Sequence, residues 1–389
     1  MKIAYVYGST PLRHGDVEDM EKAVKENRDW LGDTANYVAS LGHDVSLFLM
    51  HKKISGHLKY KGVKWHAYKP LITHRKLIAG KEPCMKMLKD VFESKPDIIH
   101  FQTVSYCINY ALYVRRARRS GIPIVAQYHG GRFPRHFWDR WAQGYALRNS
   151  DAAIFLTKES GDIYVQNYNL NPERIHIIPC GFAEGFFPMD KSVAREKTGL
   201  YGDPLIIWVA FLRKVKDPMI LLRAFSNIVK KYQEARLCYV GSGEMEETLK
   251  RAVEEDESIQ GKVAIKGFIP KDDIPLYLNS ADIYVLASRV EPFAVSPMEA
   301  MACGVVPILT TLPSFRIMTG NGKYGLLFKP GDQKGLEGQI ERLINDKPLL
   351  ERLSKEVAKR ALDNFSWKAM AGKLVNLYEK VLHDRRGIK

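Results

Sequence analysis

The sequence predicts an α/β protein with two doubly wound domains, and three observations support this fold class. Short apolar strands alternate with helical segments along most of the chain, which is typical of parallel sheets with helices on both faces. The alternation breaks around residues 179–190, where two glycines and two prolines occur without periodicity. At 389 residues, the chain is also too long for one ordinary hydrophobic core.

The first half alternates strands with helical segments and predicts an N-terminal domain over residues 1–180. The predicted elements are strand 2–7, a helix-compatible region at 16–41, strand 44–49, strand 98–102, helix 109–120, strand 122–128, helix 137–149, strand 152–156, helix 159–168 and strand 175–178. Residues 181–190 are interpreted as the interdomain linker. Right-handed crossovers between parallel strands are expected throughout.

The second half repeats the architecture and predicts a C-terminal domain over residues 191–366. Its predicted elements are strand 205–211, helix 218–231, strand 236–240, helix 244–255, strand 263–266, helix 272–280, strand 282–287, a short helix that begins at Pro297 and is ended by Gly304, strand 305–311, strand 324–328, and helices 334–345, 348–364 and 367–383. We expect the last helix, within residues 367–389, to return to the N-terminal domain.

The stretch 282–311 places two carboxylates at a predicted ligand edge. Ser296 can cap the short helix, with Pro297 at its first position and Glu299 completing a capping box. The helix start faces the carboxyl end of strand 282–287, where open α/β sheets bind ligands, and its free amides favour an anion such as a diphosphate. Glu299 can also accept hydrogen bonds from a ribose diol, whereas Glu291 has no evident structural task.

Composition places the chain among globular proteins of a reducing compartment. Hydrophobic residues make up 46%, and no apolar run reaches the roughly 18 residues of a membrane span. The start lacks the layout of a signal peptide. Five scattered cysteines without a CxxC pair suggest free thiols rather than a zinc site or a disulfide framework. We therefore expect a cytoplasmic location, which includes peripheral attachment to the inner face of the membrane.

The formal charge of +15 is spread unevenly. Residues 51–89 contain eleven Lys or Arg against one acid, with Tyr60, Trp65 and Tyr68 interleaved. This segment is either a solvated face or a surface for an anionic membrane, an anionic acceptor or nucleic acid, and membrane or acceptor is favoured among the binding alternatives. Four arginines within residues 115–119 are interpreted as solvated residues that complement a helix dipole.

Several residues at predicted strand ends could reach a ligand. Gly8 can bring bare backbone close to a phosphate. Arg213 and Lys216 follow strand 205–211 and could neutralise a diphosphate, although loop cations are usually only solvated. His129 lies at a strand end beside two glycines, where a structural and a functional role are equally compatible with the sequence.

The segment EPFAVSPMEAMACGVVPI at residues 291–308 resembles the E-x7-E signature of retaining glycosyltransferase family 4, which has the GT-B fold. The resemblance extends in order and spacing through VGSGEMEETLK, VAIKGFIPKDDIPLYLNSADIYVLASRVEPF and GLLFKPGD. It is looser in residues 1–180. The family usually has Gly-Arg-Leu where this chain has Ala210-Phe211-Leu212, and Arg213 could substitute for the missing arginine.

The resemblance implies a role for each matched position. Glu299 would bind the ribose hydroxyls, and Glu291 and His129 would contact the transferred sugar. The backbone amides of Phe293, Ala294 and Val295 would bind sugar hydroxyls and phosphate, and Arg213 and Lys216 would neutralise the leaving diphosphate. Lys266, Gly267 and Phe268 would lie beside the base. Enzymes of this type generally need no divalent metal, so neither a metal nor another cofactor is expected. Cationic side chains would stabilise the leaving group instead.

The expected function is therefore retaining transfer of a hexosyl group from a nucleoside-diphosphate sugar to an acceptor hydroxyl. A UDP-sugar is the first expectation for the donor and GDP-mannose the second, and the acceptor is a sugar, a lipid-linked molecule or another hydroxyl compound. Two alternatives stay open. One is a sugar-nucleotide epimerase or phosphorylase of the same fold, and the other is a non-catalytic basic protein that binds nucleic acid or membrane.

Overall fold

The structure, a computed structural model, describes residues 1–7, 19–25, 30–51, 53–69, 83–105, 107–131 and 133–387. Gly8 lies outside these residues, as do Lys52 and residues 70–82 of the basic segment. The chain divides into two compact units. The first contains Met1–Cys180 together with Trp367–Lys389, and the second contains Gly181–Ser366.

The first unit is a sheet with helices on both faces. Its elements are β1 (Lys2–Tyr7), α1 (Met20–Lys25), α2 (Trp30–Ser40), β2 (Asp44–Met50), β3 (Gly56–Tyr60), β4 (Val63–Tyr68), α3 (Met85–Glu93), β5 (Ile98–Phe101), α4 (Cys107–Ser120), β6 (Ile124–Gln127), α5 (Phe137–Arg148), β7 (Ala152–Phe155), α6 (Lys158–Tyr168) and β8 (Ile175–Ile177). The strand order is β3-β4-β2-β1-β5-β6-β7-β8, and the paired strands are parallel except β3 with β4.

The second unit is a fully parallel sheet in the described part of the chain. Its elements are α7 (Lys191–Thr198), β9 (Leu205–Val209), α8 (Pro218–Lys231), β10 (Arg236–Val240), α9 (Glu246–Glu255), β11 (Val263–Ile265), α10 (Ile274–Asn279), β12 (Ile283–Leu286), α11 (Ser296–Ala302), β13 (Val306–Thr310), α12 (Pro313–Thr319), β14 (Leu326–Phe328), α13 (Gln333–Asn345) and α14 (Lys347–Phe365). The order is β11-β10-β9-β12-β13-β14. Every residue of β9, β12 and β13 is buried, which explains why these strands are continuous apolar runs.

The last helix, α15 (Trp367–Gly387), belongs to the first unit. Trp367, Leu374 and Tyr378 are buried in the core that β1 and α2 also line. The Tyr378 hydroxyl forms a 2.9 Å hydrogen bond with the hydroxyl of Tyr5 in β1. The helix therefore contributes both apolar and polar contacts to the centre of this unit.

The structure confirms the predicted α/β class but adds an edge hairpin that the sequence analysis did not predict. Strands β3 and β4 pair antiparallel inside the basic segment 51–89. Trp65 and Tyr68 are buried there, so these two aromatic residues are core residues rather than part of an exposed binding surface. The lysines alternate with them and face solvent, and Lys64 pairs with Asp44.

Three shorter helices, α3, α7 and α12, were also not predicted. The five cysteines are free, as their spacing predicts. Among the described residues, no helix combines the length and the apolar character needed to cross a lipid bilayer.

Candidate active site

The strand order of the second unit reverses between β9 and β12, so the loops that follow these strands flank the point where open α/β sheets bind ligands. Lys216 lies in the loop after β9, and Glu291 lies in the loop after β12. The Lys216 Nζ is 2.6 Å from the Glu291 Oε2, and both side chains are mostly buried, with 16% and 14% exposed. The Ser288 hydroxyl also donates to this oxygen at 3.3 Å. The two loops are thus joined at the predicted ligand position.

A second set of contacts fixes the same two loops. The Arg289 guanidinium binds the Asp217 carboxylate at 2.6 Å, and the Arg289 backbone amide donates to the Val215 carbonyl at 2.9 Å. Thr310 anchors the β12 loop by donating from its hydroxyl to the Ser288 carbonyl at 2.7 Å. Two of the cations in this region are therefore neutralised by carboxylates of the protein.

Arg213 differs from those two cations. Its guanidinium lies over the ring of Phe211, 5.2 Å from the ring centroid. Within the described residues, no carboxylate forms an ion pair with it. Phe211 itself is 48% exposed, so the face of its ring is open to the guanidinium. The arrangement presents an uncompensated positive charge at the carboxyl edge of β9.

Two glycines let the loop after β10 approach the loop after β9. A Cβ on Gly241 would overlap the Ala210 carbonyl, and a Cβ on Gly243 would overlap the Leu212 carbonyl. The close approach permits the Leu212 amide to donate to the Ser242 carbonyl at 3.0 Å. Residues 241–243 are thus a strand-to-helix turn that supports the position of the Arg213 loop.

Helix α11 begins one residue earlier than predicted, and the predicted capping box is wrong. Val295 occupies the N-cap position without a side-chain hydrogen bond, because the Ser296 hydroxyl instead pairs with the Tyr284 hydroxyl at 2.8 Å. Glu299 then falls too far along the helix to cap its start. Its side chain is 8% exposed, and no hydrogen bond or ion pair involves its carboxylate within the described part of the chain. Because carboxylates of mostly buried residues normally have hydrogen-bond donors, Glu299 is a candidate for contact with a ligand.

Burial raises the pKa of Glu299 to about 7, and the positive charge of Lys271 opposes this shift. Near neutral pH the group is therefore balanced between its neutral and charged forms. A ligand that donates hydrogen bonds would favour the carboxylate.

Three consecutive amides precede α11 without an acceptor. In the described structure, the backbone N–H groups of Phe293, Ala294 and Val295 donate no hydrogen bond to the protein. Phe293 and Ala294 are buried, with 8% and 7% exposed. Since buried amides normally have partners, this loop is suited to a ligand oxygen.

The loop after β11 presents a different chemistry. Phe268 is 75% exposed, and Gly267, which adopts a positive φ of 65°, accepts a 2.7 Å hydrogen bond from the Gly241 amide. Lys266 is exposed beside them. An exposed aromatic ring on a fixed loop can stack on a planar ligand group.

His129 follows β6 in the first unit. Its Nε2 is 3.1 Å from the Gln102 Oε1, and burial lowers the pKa of its ring to about 3. The ring is therefore neutral and donates through Nε2. Gln102 is fully buried, and within the described residues its Nε2 has no hydrogen-bond partner.

Several residues around the candidate site were not predicted from the sequence. Arg289, Ser288 and Lys271 belong to the second-unit site, and Gln102 belongs to the His129 environment. Arg289 carries no local signal because its partner Asp217 is 72 residues away. Ser288 is only three residues from Glu291, but a serine beside an acid is too common to mark a site. No group of three or more His, Cys, Asp or Glu side chains in the described ranges is arranged to hold a metal ion.

Two family profiles match this chain, one in each unit. The profile described as "Glycosyl transferases group 1" matches residues 190–360, and the profile described as "Glycosyltransferase Family 4" matches residues 30–184. A mannosylfructose-phosphate synthase of Agrobacterium fabrum is 29% identical over 60% of this chain and 53% of its own length. The aligned region thus spans about half of that relative.

Two further proteins match most of the chain. An Escherichia coli enzyme named UDP-Gal:alpha-D-GlcNAc-diphosphoundecaprenol alpha-1,3-galactosyltransferase is 24% identical over 78% of this chain and 80% of its own length. The crystal structure of HepE from Anabaena in complex with UDP has a TM-score of 0.73 and 17% identity, and covers 98% of this chain and 100% of the other. Because matched profiles and fold agree along both units, this chain belongs to glycosyltransferase family 4 and has the GT-B fold.

Proposed function

We propose that this protein transfers a hexosyl group, with retention of configuration, from a nucleoside-diphosphate sugar to an acceptor hydroxyl. The observation that carries the proposal is Glu299, an 8% exposed residue at the switch point of the second sheet whose carboxylate forms no hydrogen bond or ion pair within the described residues. Two vicinal hydroxyls of a ribose would supply the missing donors. The exposed ring of Phe268, with Lys266 and Gly267 in the same loop, is available for the base.

We assign the diphosphate to Arg213, Lys216 and the free amides before α11. Arg213 offers the uncompensated charge, whereas Lys216 is shared with Glu291. The amides of Phe293 to Val295 would receive sugar hydroxyls or phosphate oxygens. Gly8, for which the sequence also predicts a phosphate contact, lies outside the described residues.

Glu291 acts in this proposal as a positioning and electrostatic group rather than a covalent nucleophile. Its carboxylate lies 2.6 Å from the Lys216 ammonium and accepts a hydrogen bond from the Ser288 hydroxyl. Because both contacts engage the same carboxylate oxygen, Glu291 is poorly placed to attack a sugar carbon. In a same-face reaction, the bond between the anomeric carbon and the diphosphate breaks while the bond to the acceptor oxygen forms. The departing phosphate oxygen takes the acceptor proton, so no enzyme base is needed. His129 would hold a sugar hydroxyl as a neutral ring.

The donor is proposed to be a UDP-sugar first and a GDP-sugar such as GDP-mannose second. The Escherichia coli relative carries UDP-Gal in its name, and HepE was solved with UDP and with UDP-glucose. The name of the first also specifies a sugar on diphosphoundecaprenol, which supports a lipid-linked acceptor as one candidate. The exposed lysines of the β3–β4 hairpin would attract an anionic acceptor or membrane surface. The reaction is proposed to need no metal, because Arg213 and Lys216 supply positive charge for the leaving group.

The test compares Glu291→Ala and Glu299→Ala. We expect Glu291→Ala to lower kcat by several orders of magnitude while nucleotide binding persists, and Glu299→Ala to weaken binding of the nucleoside diphosphate. The measurements are sugar transfer with and without EDTA, and thermal shifts with UDP and GDP, because selective binding stabilises the fold.

Glu341→Ala is the matched control, since this residue also forms an ion pair with a lysine, Lys231, at 2.7 Å but lies away from the site. Normal transfer by both site variants would exclude the assignment. Binding that falls steeply with salt, without any transfer or hydrolysis of a nucleotide sugar, would favour the non-catalytic alternative.

A further inference from the structure

The outward face of α5 is aromatic although it is exposed. Phe137, Trp138 and Trp141 are 77%, 50% and 67% exposed, and Tyr145 continues the same face one turn later. The opposite face, which includes Ala142 and Leu147, is buried, and the helix packs mainly against α4. A surface helix normally pairs an apolar face with a polar one, and α5 departs from this rule at its first two turns.

The aromatic face cannot be buried by a rotation of the helix. Gly144 packs so closely that a Cβ there would lie 2.7 Å from the ring of Tyr168. The Gln143 side chain donates to the Val104 carbonyl at 2.9 Å. The rings also pack against one another, since Trp141 stacks on Tyr145 with a distance of 5.7 Å between the ring centroids. The exposed rings therefore form a fixed ridge.

The ridge is flanked by positive charge. Arg135, just before the helix, and Arg140, within it, are both exposed, and Asp139 is the acidic residue of its first turn. The neighbouring α4 contributes Ile108, 43% exposed, at its first turn. Tryptophan and tyrosine favour the boundary between lipid and water, and arginine favours anionic headgroups.

We propose that Phe137, Trp138 and Trp141 insert into the interfacial layer of an anionic membrane. This goes beyond the proposed transfer reaction and concerns a surface separate from the basic hairpin. Helix α5 follows β6, five strands from β3 in the sheet order. At about 4.8 Å per strand, the two surfaces lie roughly 24 Å apart in the sheet direction. The lysines would supply a salt-sensitive attraction, whereas the aromatic ridge supplies attachment that persists in salt.

The test is flotation of the full chain with vesicles of equal parts phosphatidylglycerol and phosphatidylcholine, at low and high salt. We expect the double variant Trp138→Ala/Trp141→Ala to partition at least about tenfold more weakly than the unchanged protein. The double variant Trp138→Phe/Trp141→Phe should recover most of the binding. Tyr201→Ala is the matched control, because Tyr201 is 61% exposed in the second unit and should be dispensable. Binding of the unchanged protein should be weaker to phosphatidylcholine alone.

Equal flotation of the alanine variant and the unchanged protein would overturn the proposal, as would failure of the unchanged protein to float with anionic vesicles. Sedimentation of both proteins without lipid tests whether a second copy of this chain covers the ridge instead. If the unchanged protein is an oligomer, the alanine variant is not, and flotation is the same for both, the ridge serves self-association and not membrane binding. Thermal shifts with UDP should be equal in all variants. A protein that floats but binds no nucleotide would contradict the proposed function and leave this inference intact.

Discussion

If Glu299 binds the nucleotide as proposed, its burial makes that binding depend on pH. Burial raises the pKa of its carboxyl to about 7 in the folded protein, above its value in an unfolded chain. The folded state thus binds the proton more tightly, and this group lowers the free energy of unfolding as pH rises from about 4 to about 7. Above pH 7 the destabilisation is complete, on the order of 3 kcal/mol.

We therefore expect Glu299→Gln to be more stable than the unchanged protein at pH 8 and nearly equal to it at pH 4. Urea unfolding at the two pH values measures the difference. Nucleotide binding should release a proton near pH 6.5 in the unchanged protein and not in the variant, which calorimetry in buffers of different ionisation enthalpy detects. Parallel pH profiles for the two proteins would show that the carboxyl titrates normally.

Phe211 occupies the position where the family resemblance implies an arginine, and Arg213 stacks on its ring. Replacement of Phe211 by Ala should therefore weaken diphosphate binding indirectly, by releasing the guanidinium from its fixed position. We expect Arg213→Ala to raise the Kd for UDP by about tenfold to a hundredfold, as for loss of a charge-assisted hydrogen bond. Phe211→Ala should cause a smaller loss, and Phe211→Tyr should retain affinity.

The order of effects is the critical readout. A double variant Phe211→Ala/Arg213→Ala should bind no worse than Arg213→Ala alone, because the ring acts through the arginine. Additive losses would mean that Phe211 contacts the nucleotide itself.

At the scale of elements, the candidate site depends on the loops after β9 and β10, which approach each other closely because Gly241 and Gly243 have no side chain. Gly243→Ala would force the Leu212 carbonyl to move, and we expect a loss of roughly 1–3 kcal/mol of stability together with weaker nucleotide binding. Gly338→Ala is the control, since Gly338 lies within helix α13 with open space around it. That substitution should stabilise the protein by about 0.5–1 kcal/mol and leave binding unchanged. Denaturant titration with and without UDP separates the two effects.

The elements that the sequence predicted best are those whose residues form continuous apolar runs. The β12–α11–β13 stretch was recognisable because both strands are continuous apolar runs with a short helix between them. The β3–β4 hairpin was missed because its alternating lysines look like a solvated charge run, while its buried partners Trp65 and Tyr68 look like isolated aromatics. The sequence could not show which of these rings faces the core.

The site shows the same division. The two carboxylates were found from their spacing, but the Lys216–Glu291 pair joins residues 75 positions apart and depends on the strand order. The predicted capping box failed because the Tyr284 hydroxyl competes for Ser296, a tertiary contact that no local motif encodes. Glu299 was thereby shown to lack the structural role that the sequence assigned to it.

At the scale of the whole molecule, the first unit is made from two separated parts of the chain. Tyr378 in α15 pairs with Tyr5 and, at 2.5 Å, with His100, and all three are buried. Tyr378→Phe should destabilise the protein by about 1–3 kcal/mol, because a buried histidine nitrogen loses its partner. Chemical denaturation measures this change. Leu362→Ala, a 40% exposed position on α14, is the control and should have little effect.

The late position of α15 also determines the order in which the protein can fold during synthesis. Residues 181–366 form one continuous unit and emerge from the ribosome complete, whereas residues 1–180 must wait for the segment 367–387 that fills their core. The unit that begins to be made first is therefore the last to be finished. During that interval the apolar core positions that α15 covers are open to chaperones.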